Sequence, residues 1–322
     1  MRALIVGAGS IGQVLAHALR AGGAEVAFLV KPAHAAEARA GFTLYPLGRR
    51  RERWRPVRLD GVPVLTETPL PRFDTVLLAV SSPALATGTW LAELAAATGD
   101  ATMVALQPGA GDAARVAAVA GAERVVSGAI GLMAWSAPLR GQQLPAPGTA
   151  YWVPPLSTFP LTGAPARVRP LVAALRAGGI PAAAHADAPA VAALGSALLE
   201  TQVAALRCAG WSRTVLRGDP RLVALAGAAA REALSVIAAD RGRRPPLPAR
   251  LAARVPAPLL LGGLAGLAPM TLEHFLARHY GKVTAQTRAT LDGWIARGEA
   301  LGVATGALET LRDRWQAQVN RA

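Results

Sequence analysis

The apolar run Ala3-Leu4-Ile5-Val6 leads directly into Gly7-Ala8-Gly9-Ser10-Ile11-Gly12. A strand, a G-x-G-x-x-G turn and a helix, in that order, are what a dinucleotide-binding βαβ unit requires. Gly7 permits the tight turn, Gly9 lets the backbone approach a pyrophosphate, and Gly12 lets helix and strand pack closely. The helix N-terminus opened by Ser10 and Ile11 then directs unpaired N–H groups and a positive dipole end at phosphate. The chain contains 33 glycines, so the spacing alone is a weak signal and its context has to carry the argument. After the turn, Ile11, Val14, Leu15, Ala18 and Leu19 keep the periodicity of a one-faced helix. Gly22-Gly23 ends it. Val26 to Val30 reads as a buried parallel strand, which completes the unit.

The end of that second strand bears on the choice of coenzyme. A site for NAD places Asp or Glu there to bond the ribose 2′-hydroxyl. Here the residue is Lys31, one of only two lysines, Lys31 and Lys282, among 34 basic residues. An ammonium attracts a 2′-phosphate that a carboxylate repels, so the reading is NADP.

A length of 322 residues suits two domains with sizeable cores, and 52% hydrophobic against 17% charged residues excludes general disorder. The lone Cys208 rules out an internal disulfide framework and reads as a small core residue. No secretory signal is recognisable, so a cytoplasmic protein is expected. Ala257 to Pro269 is apolar but too short to span a bilayer, and reads as a buried, glycine-loosened helix or loop. The formal charge is +14, much of it in two arginine clusters. Arg49, Arg50, Arg51, Arg53, Arg55 and Arg58 surround Trp54, and a second group runs from Arg241 to Arg254 around Pro245-Pro246. Neither sits in a nucleic-acid-binding motif. They read as solvated surface whose field gathers anionic coenzyme and substrate, with no nucleic-acid or membrane partner expected.

Farther along, Leu59 to Thr66 reads as a strand or hairpin arm and Asp74 to Val80 as a central strand. Ser81-Ser82-Pro83 is an N-cap pair with Pro in the first turn of a helix through Ala97. Ala101 to Leu106 and Arg124 to Ser127 are further strands, and Tyr151-Trp152-Val153 is another extended piece. Alternating strands and helices predict an α/β fold: a Rossmann-type, doubly wound parallel sheet whose strand carboxyl ends form the ligand crevice. Lys31, Ser81 and Gln107 fall at such ends. From Ala190 onward the pattern is helical, over 190–209, 220–239 and 270–301. The expected organisation is an NADP-binding domain over 1–180 and an all-helical substrate or dimerisation domain over 181–322; its apolar helices suit a homodimer or a buried core equally.

This layout resembles the ketopantoate reductase family along essentially its whole length. The resemblance rests on Val6 to Gly12, on the basic residue Lys31, and on a strand closing in an amide and glycines, Gln107-Pro108-Gly109-Ala110-Gly111. It also rests on Gly128 to Gly131 leading to Tyr151-Trp152-Val153-Pro154, and on the late Leu291-Asp292-Gly293-Trp294 and Leu301-Gly302-Val303. Such a resemblance implies NADPH-linked reduction of 2-dehydropantoate to pantoate, in pantothenate biosynthesis. Departures accompany it: Ser81 stands where the family carries Lys, Gln107 where it carries Asn, and Thr287 near its substrate-binding Glu. The stretch 190–209 lacks its catalytic Lys.

Carbonyl reduction requires a hydride donor, a proton donor and a cation for any substrate carboxylate. Lys282 is the first candidate, because His279, Lys282 and Gln286 are spaced i, i+3, i+7 on one predicted helix face. Glu200 is the second, as the lone charge within Leu198 to Val203 of an apolar helix. A Glu200–Lys282 ion pair in a cleft between the domains is compatible with the sequence. His279 reads as a satisfied core residue or an acid–base group, and no metal-ligand spacing occurs. The expected function is NADPH-dependent reduction of a small 2-oxo acid or related carbonyl. The alternatives are the same fold acting on a different ketone or imine, and a non-catalytic NADP-binding sensor.

Overall fold

A computed structural model describes residues 1–48, 55–67, 70–109 and 111–321. Arg49, Arg50, Arg51, Arg53 and Trp54 of the first basic cluster, and Ala110 of the second glycine turn, lie outside the described residues. The chain divides into two compact units, Met1–Val191 and Ala192–Ala322.

The first unit is built on β1 (Arg2–Val6), whose residues alternate between two cores. Ala3 and Ile5 face one side, where they meet Val14, Leu15 and Leu19 of α1 (Ser10–Ala21). Leu4 and Val6 face the other, where they meet Leu91 and Leu94 of α4 (Trp90–Ala97) and Val116 of α5 (Asp112–Ala120). A strand buried on both faces must be apolar throughout, which is why these strands read as continuous hydrophobic runs. Each fully buried Leu or Ile contributes about 1.5–3 kcal/mol of transfer free energy.

On one side β1 pairs in parallel with β2 (Glu25–Leu29), which pairs with β5 (Val64–Leu65). On the other side β6 (Thr75–Leu78), β7 (Thr102–Ala105) and β8 (Val125–Gly128) follow, all parallel. Two further strands extend this edge. β11 (Phe159–Thr162) runs antiparallel to β8, and β12 (Ala182–Ala184) runs parallel to β11. The sheet is therefore mixed at one edge, with order β12-β11-β8-β7-β6-β1-β2-β5. Strand order reverses at β1, with β2 on one side and β6 on the other, and such a switch point opens a crevice at the carboxyl ends of the strands.

A second sheet, β4-β3-β10-β9, covers the outer face of α1. It is made of β3 (Phe42–Pro46), β4 (Val57–Leu59), β9 (Met133–Ala137) and β10 (Gly148–Trp152). The expected strand over 59–66 is thus two strands in different sheets. Gly61, at φ 66°, turns the chain between them. Tyr151 and Trp152 belong to this second sheet.

The helix expected over 84–97 is also two. α3 (Ser82–Leu85) ends at Ala86, and Gly88, at φ 75°, separates it from α4. Ser81 occupies the N-cap of α3, but its side chain makes no capping bond.

The second unit is helical. α7 (Ala188–Cys208) crosses from the first unit into the second and is followed by α8 (Arg213–Gly218) and α9 (Pro220–Asp240). α7 and α9 are long and apolar enough to cross a membrane by length and composition. α9, however, presents Ala226, Ala230, Leu234 and Ile237 to the interior, against α13 (Thr284–Leu301) and α14 (Gly306–Val319). Between them lie α10 (Leu247–Ala252), α11 (Ala257–Leu267) and α12 (Leu272–Lys282). Two expectations fail here. α11 is not a buried helix: only Ala257, Pro258 and Leu261 are buried, and Leu259 is 66% exposed. The helix expected over 270–301 breaks at Val283, which leaves helical geometry at φ −105°, ψ 27°.

Candidate functional site

Gly7 sits at φ 97°, a left-handed conformation that costs an L-residue energy, and its N–H donates to the Leu29 carbonyl at 2.9 Å. A Cβ there would lie 2.9 Å from the Ala79 carbonyl oxygen, at the end of β6. A Cβ on Gly12 would lie 2.1 Å from the Gly7 carbonyl oxygen. Both glycines are therefore demanded by backbone approach at the switch point. Gly9 differs. Its φ of −70° suits any residue, and nothing lies within 4 Å of where its Cβ would be. Gly9 is exposed and is the N-cap of α1, yet no side chain caps that helix. The first orphan N–H groups, those of Ser10, Ile11 and Gly12, thus open onto free space above Gly9. Ala8 contributes its carbonyl, which accepts a bond from Gln13 Nε2 at 2.8 Å.

Gln13 is a residue that sequence reasoning missed. It is buried in α1, and its Oε1 accepts from Thr149 Oγ1 of β10 at 2.6 Å. One amide side chain thus ties the glycine turn to the second sheet. The signal was a polar residue directly after Gly12, inside an apolar stretch.

The other expected coenzyme residues occupy strand ends of the same unit. Lys31 follows β2 as the N-cap of α2 (Pro32–Arg39) and is exposed. Ser81, also exposed, follows β6. Gln107 follows β7, but its amide is committed to backbone. Nε2 donates to the Leu78 and Val80 carbonyls at 2.6 and 2.8 Å, and Oε1 accepts from Leu106 N–H. Its observed work is to clamp the end of β7 to the end of β6. Beside it, Gly109 leaves room for Ser82 and Asp112, whose Oγ and Oδ2 are buried without a hydrogen-bond partner.

In the second unit Glu200 is 7% exposed, and its Oε2 is buried with no hydrogen-bond partner. Burial pushes its carboxyl up to about 7, while the Ser196 and Thr290 hydroxyls pull it down less strongly. The structure brings Tyr280 near it. Desolvation, reinforced by the Glu200 charge, raises the Tyr280 phenol well above its ordinary value, so it remains a neutral hydroxyl. Lys282 is not part of this cluster. It is exposed at the C-terminus of α12, and among the described residues it makes no ion pair with Glu200. Because the helix breaks at Val283, His279 and Lys282 lie on α12 and Gln286 on α13, so the three do not share one helix face. His279 is exposed and stacks on Phe275 at 5.6 Å. Burial pushes the half-buried Cys208 thiol up to about 11, which keeps it a thiol.

Residues 3–141 match the family model described as Ketopantoate reductase PanE/ApbA. No curated protein matches the sequence. Solved structures do match in fold. A D-mandelate dehydrogenase, in a ternary structure with NADH and anilino(oxo)acetate, superposes with a TM-score of 0.74 at 15% identity, over 100% of this chain and 99% of that one. A PanE/ApbA family ketopantoate reductase from Ralstonia eutropha JMP134 gives 0.71 at 18% identity, over 100% and 99%. The 2-dehydropantoate 2-reductase from Geobacter metallireducens GS-15 also gives 0.71 at 18% identity, over 98% and 99%. At these identities the structures establish the fold: a Rossmann-type N-terminal unit followed by a helical one. Over residues 3–141 the chain is thus similar in sequence to the family described as Ketopantoate reductase PanE/ApbA, and over its whole length it shares the fold of solved ketopantoate reductases.

Proposed function

We propose that the chain binds NADPH and reduces a small 2-oxo acid or a related carbonyl, as 2-dehydropantoate 2-reductases do. The observation that carries this reading is the open space above Gly9, at the uncapped N-terminus of α1 and beside the β1–β6 switch point. A diphosphate fits it, because the orphan N–H groups there supply hydrogen bonds and positive potential without a competing side chain. When bound, the nicotinamide supplies the hydride. Lys31 is assigned the 2′-phosphate, Ser81 the coenzyme nearby, and Gln107 the alignment of the strand ends around it.

Glu200 is assigned the proton. A carboxyl with a pKa of about 7 is protonated in a substantial fraction at neutral pH and can donate to a developing alkoxide. Lys282, an exposed ammonium, is assigned the substrate carboxylate. The substrate need not be 2-dehydropantoate. Ser81, Gln107, Thr287 and the lysine-free α7 depart from the family pattern. The D-mandelate dehydrogenase of the same fold was solved with anilino(oxo)acetate, which places an aromatic ring beside an oxoacetate group.

The test is NADPH oxidation followed with 2-dehydropantoate, phenylglyoxylate and a series of aliphatic 2-oxo acids. Turnover with at least one is expected; binding of NADPH without turnover of any favours a sensor. Lys31→Asp is expected to shift the ratio of NADPH to NADH affinity about tenfold toward NADH, by replacing a charge-assisted contact with repulsion. An unchanged ratio removes Lys31 from the coenzyme site.

A further inference from the structure

The outward face of α11 has no polar side chain. Leu259 and Leu267 are 66% and 36% exposed, and Gly263 and Gly266 lie with them at helical spacing. A helix facing water ordinarily carries charged or polar residues there. Just before it in the chain, α10 and its C-terminal turn carry a second exposed set: Leu247, Arg250, Leu251 and Arg254, at i, i+3, i+4, i+7. The two leucines are 60% and 52% exposed. Five arginines lie between Arg241 and Arg254, and no acidic residue occurs between Asp240 and Glu273. Those two flanking acids are already engaged, by Arg297 and Arg213.

We propose that the α10–α11 face docks peripherally on an anionic lipid surface. Charge and hydropathy jointly select this occupant. Leucines interleaved with arginines match a head-group boundary, where apolar side chains enter the acyl region while guanidinium groups remain on lipid phosphates. A second copy of the chain would set the same five arginines against each other. A nucleic acid would use the arginines but leave the leucines in water. The 11 residues of α11 are too few to span, so the contact is interfacial. It departs from the sequence expectation that no membrane is a partner. It does not depend on the reductase reading.

Cosedimentation of the full chain with vesicles tests it. Binding to phosphatidylcholine vesicles containing about 30% phosphatidylglycerol is expected to exceed binding to pure phosphatidylcholine about tenfold or more, and to weaken with salt. The double variant Leu251→Glu/Leu259→Glu should lose that binding while keeping its wild-type circular dichroism and unfolding transition. Arg250→Gln/Arg254→Gln should weaken it without altering the fold. Three results each overturn the proposal: no vesicle binding by the wild type, equal binding by the leucine variant, or a dimer in solution that the leucine variant dissociates.

Discussion

Glu200→Gln is expected to stabilise the protein above neutral pH and to suppress turnover. The buried carboxyl titrates near 7 in the folded chain against an ordinary 4.5. Between those values the folded state holds a proton that the unfolded state has released, so wild-type stability falls as pH rises from about 4.5 to about 7. Below that window the group is protonated in both states, and above it ionised in both, so the deficit is constant on either side. A difference of about 2.5 pKa units corresponds to a deficit of about 3 kcal/mol. Gln has no such titration. Urea unfolding of the two proteins across this range should give curves that coincide near pH 4.5 and separate by about 3 kcal/mol at pH 8, with the variant the more stable. Loss of turnover on a confirmed substrate, at unchanged NADPH affinity, would accompany it, because the amide cannot donate as an acid. Parallel stability curves would mean that Glu200 is solvated, and full activity would remove it as the proton donor. Stability given up at a buried ionisable group is an expected cost of a functional site.

Gly12→Val is expected to have the opposite sign. The new side chain would begin 2.1 Å from a backbone oxygen and 3.3 Å from Ile5 Cγ2. Neither neighbour is the far end of a flexible chain, so α1 must move away from β1. Overpacking of this kind costs about 3 kcal/mol and displaces the N–H groups aimed above Gly9. The thermal midpoint should drop by about 5–10 °C and NADPH binding should be lost. A variant with wild-type stability would show that α1 and β1 are less tightly apposed than described.

The glycine turn and the strands around it were legible in the sequence because each requirement is local. Two-sided burial makes β1, β2, β6 and β7 continuous apolar runs after their first residue, and only glycine fits at Gly7 and Gly12. What stayed hidden depends on long-range partners. Leu59 to Thr66 reads as one segment, yet Leu59 ends a strand of the second sheet and Val64–Leu65 belongs to the first. Gln107 looks like a ligand group, but its amide is satisfied by carbonyls almost thirty residues earlier. The breaks at Gly88 and Val283 interrupt patterns that remain periodic across them, so periodicity joined what the backbone separates. The apolarity of 257–269 suggested burial, but apolarity does not say whether protein, lipid or another chain covers a helix. Glu200 stands out in the sequence because a lone carboxylate in an apolar helix is costly in itself, and the structure buries it; its neighbour Tyr280 comes from a different helix and left no trace in sequence spacing.

The measurement that bears most directly on the account is NADPH titration of the wild type and of Gly9→Val, alongside their thermal unfolding. Gly9 has an ordinary extended conformation and empty space beside it, so the variant should fold with an unchanged midpoint. Its side chain would fill the cradle, and the dissociation constant for NADPH should rise about a hundredfold or more. Equal affinity in the two proteins, or no NADPH binding by the wild type, would contradict the claim that the first glycine turn holds the coenzyme.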